Sequence, residues 1–229
     1  MNIRIFETID DLNTAAARTI VQRIHSNASI ALSGGKSPIP LFTMMGKPPW
    51  RDELAKVPIT WVVVDERYVP IDHPESNAGM IERTLFADGL PNGHRFLRFK
   101  TELNDPEATA AEFEREWREL GLELLDVIHL GIGDDGHTAS LFPGTNVLDV
   151  EDRIAAAVFV PKLDAWRVTL TKPVIRAAKL RLVLAAGASK APILRDVQNG
   201  VPHPITLASA GDIETWWLVD RAAVAPPSP

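Results

Sequence analysis

One short stretch of this chain, Leu130-Gly131-Ile132-Gly133-Asp134-Asp135-Gly136-His137, holds a histidine, two adjacent carboxylates and three glycines. Glycine costs backbone entropy and neighbouring carboxylates repel, so the stretch is poor core material and reads as a site. A neutral imidazole removes a proton from water near pH 7, which makes His137 a candidate general base. Asp134 or Asp135 can hold its tautomer. His129, inside the preceding apolar run, reads as an interior residue or one hydrogen-bonding near the site. Thr138 and Ser140 follow the histidine but sit in no Gly-x-Ser-x-Gly elbow, so they read as structural. No His-x-x-x-His or comparable spacing occurs, and no metal is expected.

Ser33-Gly34-Gly35-Lys36-Ser37 ends another apolar run and precedes Pro38, a residue suited to a helix's first turn. Successive backbone N–H groups there can cradle a phosphate, and the glycines let the backbone approach it. The end of this stretch resembles a nucleotide P-loop, but Ile30 stands where that motif needs its first glycine, so a nucleotide is not favoured. Asp65-Glu66-Arg67 closes a third apolar run. The Arg67 fork suits a carboxylate or phosphate, with Asp65 or Glu66 to orient it. Arg167 and Lys190 also lie near strand ends and are candidate phosphate ligands, although by type alone each equally suits a solvated surface.

These clusters need elements that bring them together. Apolar runs at 3–7, 28–32, 59–64, 124–132, 166–170, 180–187 and 215–220 read as strands. Helical spacing covers 12–25 and 108–120, and Ser76 or Asn77 can cap a helix running to Phe86. Continuous Val/Ile/Leu runs imply strands buried on both faces, hence a mostly parallel sheet. The expectation is a single doubly wound α/β domain over 1–224, with helices flanking the sheet and a Pro-rich tail at 225–229 that frays. Such sheets bind ligands at the carboxyl ends of their strands, and the three polar clusters all fall there.

Composition narrows the partners. The 229 residues carry 24 Lys plus Arg against 30 Asp plus Glu, a net charge of −6, with no basic block. That argues against nucleic acid, so cations for an anionic ligand must be gathered from distant parts of the chain. No apolar window is long enough to span a membrane, and the N-terminus lacks the layout of a signal peptide. Cysteine is absent, which excludes disulfides and thiolate chemistry and sits with a reducing cytoplasm.

In order, Leu-Ser-Gly-Gly-Lys-Ser-Pro (32–38), Asp-Glu-Arg-Tyr-Val-Pro (65–70) with Glu-Ser-Asn after it, Gly-Ile-Gly-Asp-Asp-Gly-His-Thr-Ala-Ser-Leu-Phe-Pro-Gly (131–144), Arg-Val-Thr-Leu-Thr (167–171) and Gly-Ala-Ser-Lys-Ala-Pro-Ile-Leu (187–194) resemble the 6-phosphogluconolactonases. These belong with the glucosamine-6-phosphate deaminases and ribose-5-phosphate isomerases, and the resemblance spans about residues 28–220. It implies hydrolysis of 6-phospho-D-glucono-1,5-lactone in the oxidative pentose phosphate pathway, with no cofactor and no required metal. It also implies His137 as general base beside Asp135 and Gly136. Ser33, Gly34, Gly35, Arg167 and Lys190 would hold the sugar phosphate, and Asp65 and Arg67 would line the sugar site.

Two positions depart from the family's pattern. Lys36 stands where a hydroxyl residue is usual and would add a cation. The segment before Arg167 lacks the usual prolines, so its loop is expected to take its own path. A deaminase is the nearest rival, but that family continues Ile-Ala-Phe-Asn-Glu after the histidine, where this chain has Thr-Ala-Ser-Leu-Phe. A sugar-phosphate sensor on the same fold would need an attached DNA-binding segment, for which a chain opening on a strand leaves no room.

Overall fold

The computed structural model describes residues 2–225; four residues of the expected frayed tail, 226–229, lie outside it. Seven strands form one sheet in the order β1-β10-β9-β6-β2-β3-β5, every neighbouring pair parallel. They are β1 (Asn2–Phe6), β2 (Ala28–Leu32), β3 (Ile59–Val63), β5 (Arg95–Leu97), β6 (Val127–Gly131), β9 (Leu180–Ala185) and β10 (Glu214–Asp220). Every residue of β2 and β3 is buried, which is why these strands read as unbroken apolar runs.

After β2 the chain builds outward through β3 to β5, then returns to β6 on the other side of β2. The loops leaving β2 and β6 therefore diverge from adjacent strands. That is the topological switch point at which open α/β sheets form a crevice.

Helices cover the sheet. α1 (Ile9–Gln22) is capped by Thr8, whose side chain accepts from Asp11 N at 3.1 Å, and buries Leu12, Ala16, Ala17 and Ile20. The Pro-rich interval after β2 contains α2 (Ile39–Met45) and α3 (Trp50–Leu54). α4 (Asn77–Thr84) is capped by Ser76 and stops two residues short of Phe86. α5 (Pro106–Glu119) opens on Asp105, which accepts from Glu107 and Ala108 N–H, and stacks Phe113 on Phe99 at 4.1 Å. α6 (Lys172–Ala177), α7 (Ala191–Gln198) and α8 (Pro204–Ala208) complete the cover.

The run 166–170 is a strand, as its composition implies, but not one of the main sheet. It is β8 (Ala165–Leu170), paired antiparallel with β4 (Asp65–Arg67) and β7 (Ala155–Val160) in a second, three-stranded sheet. Asp65-Glu66-Arg67 is thus itself a strand rather than the end of one. Val64 is the pivot: its N–H donates to Leu32 O in the main sheet, while its carbonyl accepts from Leu170 N in the small one. One hydrophobic core runs under both sheets.

Glu66 fastens this junction. Only 1% exposed, its carboxylate accepts from the N–H of Arg67, Asn77 and Ala78 at 2.7–2.8 Å and from the Ser76 hydroxyl at 3.1 Å. Burial pushes its pKa up, and the N–H donors at the start of α4 pull against that rise. Glu66→Ala leaves those donors buried without an acceptor. It is expected to lower unfolding free energy by about 3–5 kcal/mol in urea denaturation, and a loss below about 1 kcal/mol would show that water replaces the carboxylate.

Candidate active site

The loop after β2 begins with Ser33, whose N–H donates to His129 O at 3.2 Å across the switch point. Gly34 packs so tightly on the Asn77 side chain that no Cβ fits there, and Gly35 has φ +93°, open to glycine at little cost. Asn77 joins two clusters: its Oδ1 accepts from Gly35 N at 3.2 Å, and its Nδ2 donates to Asp65 O at 2.7 Å.

The loop after β6 folds back on itself. Gly133 N donates to His137 O at 2.8 Å, Gly136 N donates to Gly133 O at 3.0 Å, and the Thr138 hydroxyl bonds Gly131 O at 2.8 Å. Gly133 lies flush against the His137 ring and Gly136, at φ +77°, against His203. Two of the loop's three glycines are therefore needed, Gly133 for close approach and Gly136 for both approach and turning, while Gly131 has open space beside it. His137 presents its ring stacked on Phe142, with centroids 4.2 Å apart and planes at 24°.

The two adjacent carboxylates divide their work. Asp135 Oδ1 meets His137 Nδ1 at 2.5 Å and accepts from the His137 backbone N–H at 3.1 Å. Asp134 turns the other way and binds Lys190 Nζ at 2.6 Å. The question the sequence left open between them has a geometric answer: Asp135 is the histidine's partner.

Period-two alternation along β4 sends Asp65 and Arg67 to the cavity and Glu66 to the opposite side. Asp65 Oδ2 accepts from Ser140 at 2.7 Å, and Arg67 Nη1 donates to Glu75 O at 2.9 Å. Neither Asp65 nor Glu66 bonds the Arg67 guanidinium, contrary to the expectation that one of them orients it. Asp65 is held by Ser140, and Glu66 is consumed by backbone N–H groups. Arg167 stands directly across from Arg67 in the β4–β8 register. Among the described residues neither arginine is ion-paired to a carboxylate. Burial, then the charge of Arg67, lowers the pKa of Arg167.

A cavity of about 320 Å³ opens at this edge, lined by Ser33, Gly34, Gly35, Lys36, Asp65, Arg67, His137 and Lys190 among others. Eight of the eleven site residues expected from sequence thus share one wall. The other three adjoin it: Asp135 bonds His137, Gly136 packs on His203, and Arg167 stands across from Arg67 on the same face of the small sheet. Lys36 is exposed at the rim. Ser33 Oγ is buried and without a protein partner among the described residues, as a group awaiting a ligand would be.

Burial is the main cause lowering the His137 pKa; Lys190 and Arg67 act the same way, while Asp65 and Asp134 oppose them. The imidazole therefore stays neutral through the neutral range. Sequence reasoning missed Asn77, Phe142 and Lys162, whose Nζ reaches Asp135 Oδ2. Asn77 belongs to the Glu-Ser-Asn stretch and suits a helix cap, but nothing local in the sequence shows that its side chain bridges two loops. Ser140, read as structural, has that role as the partner of Asp65.

Known proteins resemble this chain over nearly its whole length. The family profile described as glucosamine-6-phosphate isomerases/6-phosphogluconolactonase matches residues 6–217. A 6-phosphogluconolactonase of Synechocystis is 37% identical over 226 residues, covering 93% of this chain and 89% of its own. One from a Nostoc strain is 36% identical over 211 residues, covering 86% and 83%. The solved 6-phosphogluconolactonase of Trypanosoma cruzi superposes with a TM-score of 0.85 at 25% identity, covering 97% of this chain and 95% of its own. No helix among the described residues is long and apolar enough to cross a membrane. With the switch-point cavity, the paired histidine and these likenesses together, the chain belongs to the glucosamine-6-phosphate isomerase/6-phosphogluconolactonase family.

Proposed function

We propose that this chain hydrolyses 6-phospho-D-glucono-1,5-lactone to 6-phospho-D-gluconate, with His137 as the base. The observation that carries this reading is a histidine, held by Asp135 against Phe142, on the wall of a cavity that also gathers a glycine loop, Arg67 and Lys190. A phosphorylated sugar ring needs those features: cations and N–H groups for the phosphate, and a base at the far end for water. Absence of cysteine fits work in a reducing cytoplasm.

In this mechanism Asp135 fixes the Nδ1–H tautomer and leaves Nε2 free. Nε2 takes a proton from water as the oxygen attacks C1 of the lactone. The carbonyl oxygen becomes an oxyanion, stabilised by Arg67 or by N–H groups of the glycine loops. Collapse breaks the bond from C1 to the ring oxygen, and the imidazolium returns its proton to that oxygen. The carboxylic acid so formed ionises, releasing one proton overall. A lactone is already an activated ester, so a positioned base worth ~10²–10⁴-fold, with orientation through the phosphate, is sufficient. No covalent enzyme intermediate is required, consistent with Ser140 being occupied by Asp65.

The decay of freshly generated 6-phosphogluconolactone, followed by NMR with spontaneous hydrolysis subtracted, tests this directly. His137→Ala is expected to lose about 10²–10⁴-fold in kcat. Decay by the unaltered protein no faster than buffer would overturn the reading.

The anchor is tested separately. Unphosphorylated gluconolactone should be turned over poorly, and Arg167→Ala should raise KM for the phosphorylated substrate about tenfold with a smaller change in kcat. Equal turnover of both lactones would remove the phosphate from the argument.

The pH dependence has a definite sign. The base works unprotonated, and its pKa lies below the ordinary 6.5, chiefly through burial. Thus kcat/KM should rise with pH, reach half its plateau below pH 6.5, and be flat around neutrality. A half-point above 6.5 would show that the carboxylates outweigh burial and the cations.

A further inference from the structure

His137 is held by Asp135 and Phe142, and one residue touches both of them. Lys162 Nζ bonds Asp135 Oδ2, the oxygen that His137 does not use, and stands 4.8 Å from the centre of the Phe142 ring. Lys162 lies in the turn Pro161–Leu163 between β7 and β8, closed by Asp164 in the left-handed region at φ 46°. The small sheet that brings Arg67 and Arg167 to the site thus also brings a cation to the back of the histidine. Lys162 is not on the cavity wall, whereas Lys190 is.

We propose that Lys162 is a positioning residue for His137: it fixes the Asp135 carboxylate against the imidazole and offsets its charge, keeping His137 unprotonated in the neutral range. This rests on the reading of His137 as the base. A bare carboxylate bonded to Nδ1 favours the imidazolium, and a base that is already protonated cannot accept a proton from water. A cation on the other carboxylate oxygen reduces that pull. The Phe142 face gives the ammonium a second reason to stay in place.

The remaining charges around His137 leave this role open for Lys162. From its own loop come Asp134 and Asp135; from β4, Asp65 and Arg67; from the turn after β9, Lys190. His203 at the start of α8 abuts Gly136 and lies 3.5 Å from Asp196. Asp134 is offset by Lys190. Asp135 has Lys162 as its counter-ion. Two adjacent loop carboxylates thus each carry a lysine from a different element, one facing the cavity and one behind it.

The experiment is a paired titration of Lys162→Met, Lys162→Gln and Lys162→Arg against the unaltered protein. The His137 imidazole is followed by long-range proton–nitrogen NMR, assigned by its loss in His137→Asn, and kcat/KM is profiled from pH 5 to 8. Lys162 is half exposed, and circular dichroism with thermal melts will confirm folding of each variant. Both neutral variants are expected to raise the His137 pKa by about half a pH unit or more. The acid limb of kcat/KM should move by the same amount, with kcat about two- to threefold lower near pH 6 for a half-unit shift and KM little changed, while Lys162→Arg stays close to the unaltered protein. An unmoved imidazole titration in two folded neutral variants would overturn the proposal. If the imidazole titration moves but the acid limb follows it in no variant, the charge effect of Lys162 stands and His137 is not the base.

Discussion

The Glu66 carboxylate is the point on which the site's geometry depends. It lies where the chain leaves the parallel sheet at Val64 and enters the antiparallel one, and it closes the start of α4 through two N–H groups and the Ser76 hydroxyl. That fixes Asn77, the first residue of α4, whose side chain then spans Gly35 and Asp65. Without the buried carboxylate, the Asn77 link between the loop at 33–37 and the strand carrying Arg67 loses its anchor. A buried acid is costly to desolvate. Here four hydrogen bonds, three from backbone N–H groups, offset much of that cost.

The electrostatics follow from the same topology. Under the proposed function, a chain of net charge −6 must collect its cations to receive a doubly charged phosphate. It does so by drawing on both sheets: Lys36 and Lys190 come from loops at the parallel strand ends, Arg67 and Arg167 from facing positions on β4 and β8. Like charges directly opposite in an antiparallel pair are destabilising, and no carboxylate among the described residues ion-pairs with either arginine. In the proposed function an anion between or beside them would relieve the repulsion, turning a cost in the free protein into affinity for ligand.

Much of this was legible in the sequence because parallel strands buried on both faces leave unmistakable apolar runs, and the residues beyond such runs share one sheet edge. The loops at 33–37 and 131–137 follow from that rule alone. What local pattern could not show was pairing across distance. The strand 166–170 has the same apolar stamp whether it joins the main sheet or a second one, and only its antiparallel register with Asp65–Arg67 reveals the difference. β4 and β5 are three residues each, too short for any periodicity to register. Glu66 and Arg67 look like an ion pair in sequence, yet strand alternation sends them to opposite sides. Lys162 has no local signal at all, because its partner is 27 positions away and its turn is ordinary surface.

His129 and His137 show why residue type is not enough to assign chemistry. Both line the cavity, one from the strand and one from the loop that follows it. His129 is 2% exposed, packs edge-on against Phe42 and has no partner for Nδ1 among the described residues. Burial alone lowers its pKa to about 4, so it is neutral at any pH at which the enzyme would work. His137 is also buried in part, but its Nδ1 is engaged by a carboxylate and cations offset the negative charges around it. A useful base must be neutral at rest and still able to hold a proton for the moment between attack and collapse. His129 meets only the first condition, because nothing nearby stabilises its charged form. In the proposed mechanism His137 meets both, because Asp135, bonded to Nδ1, helps to hold the charged form against the burial that disfavours it.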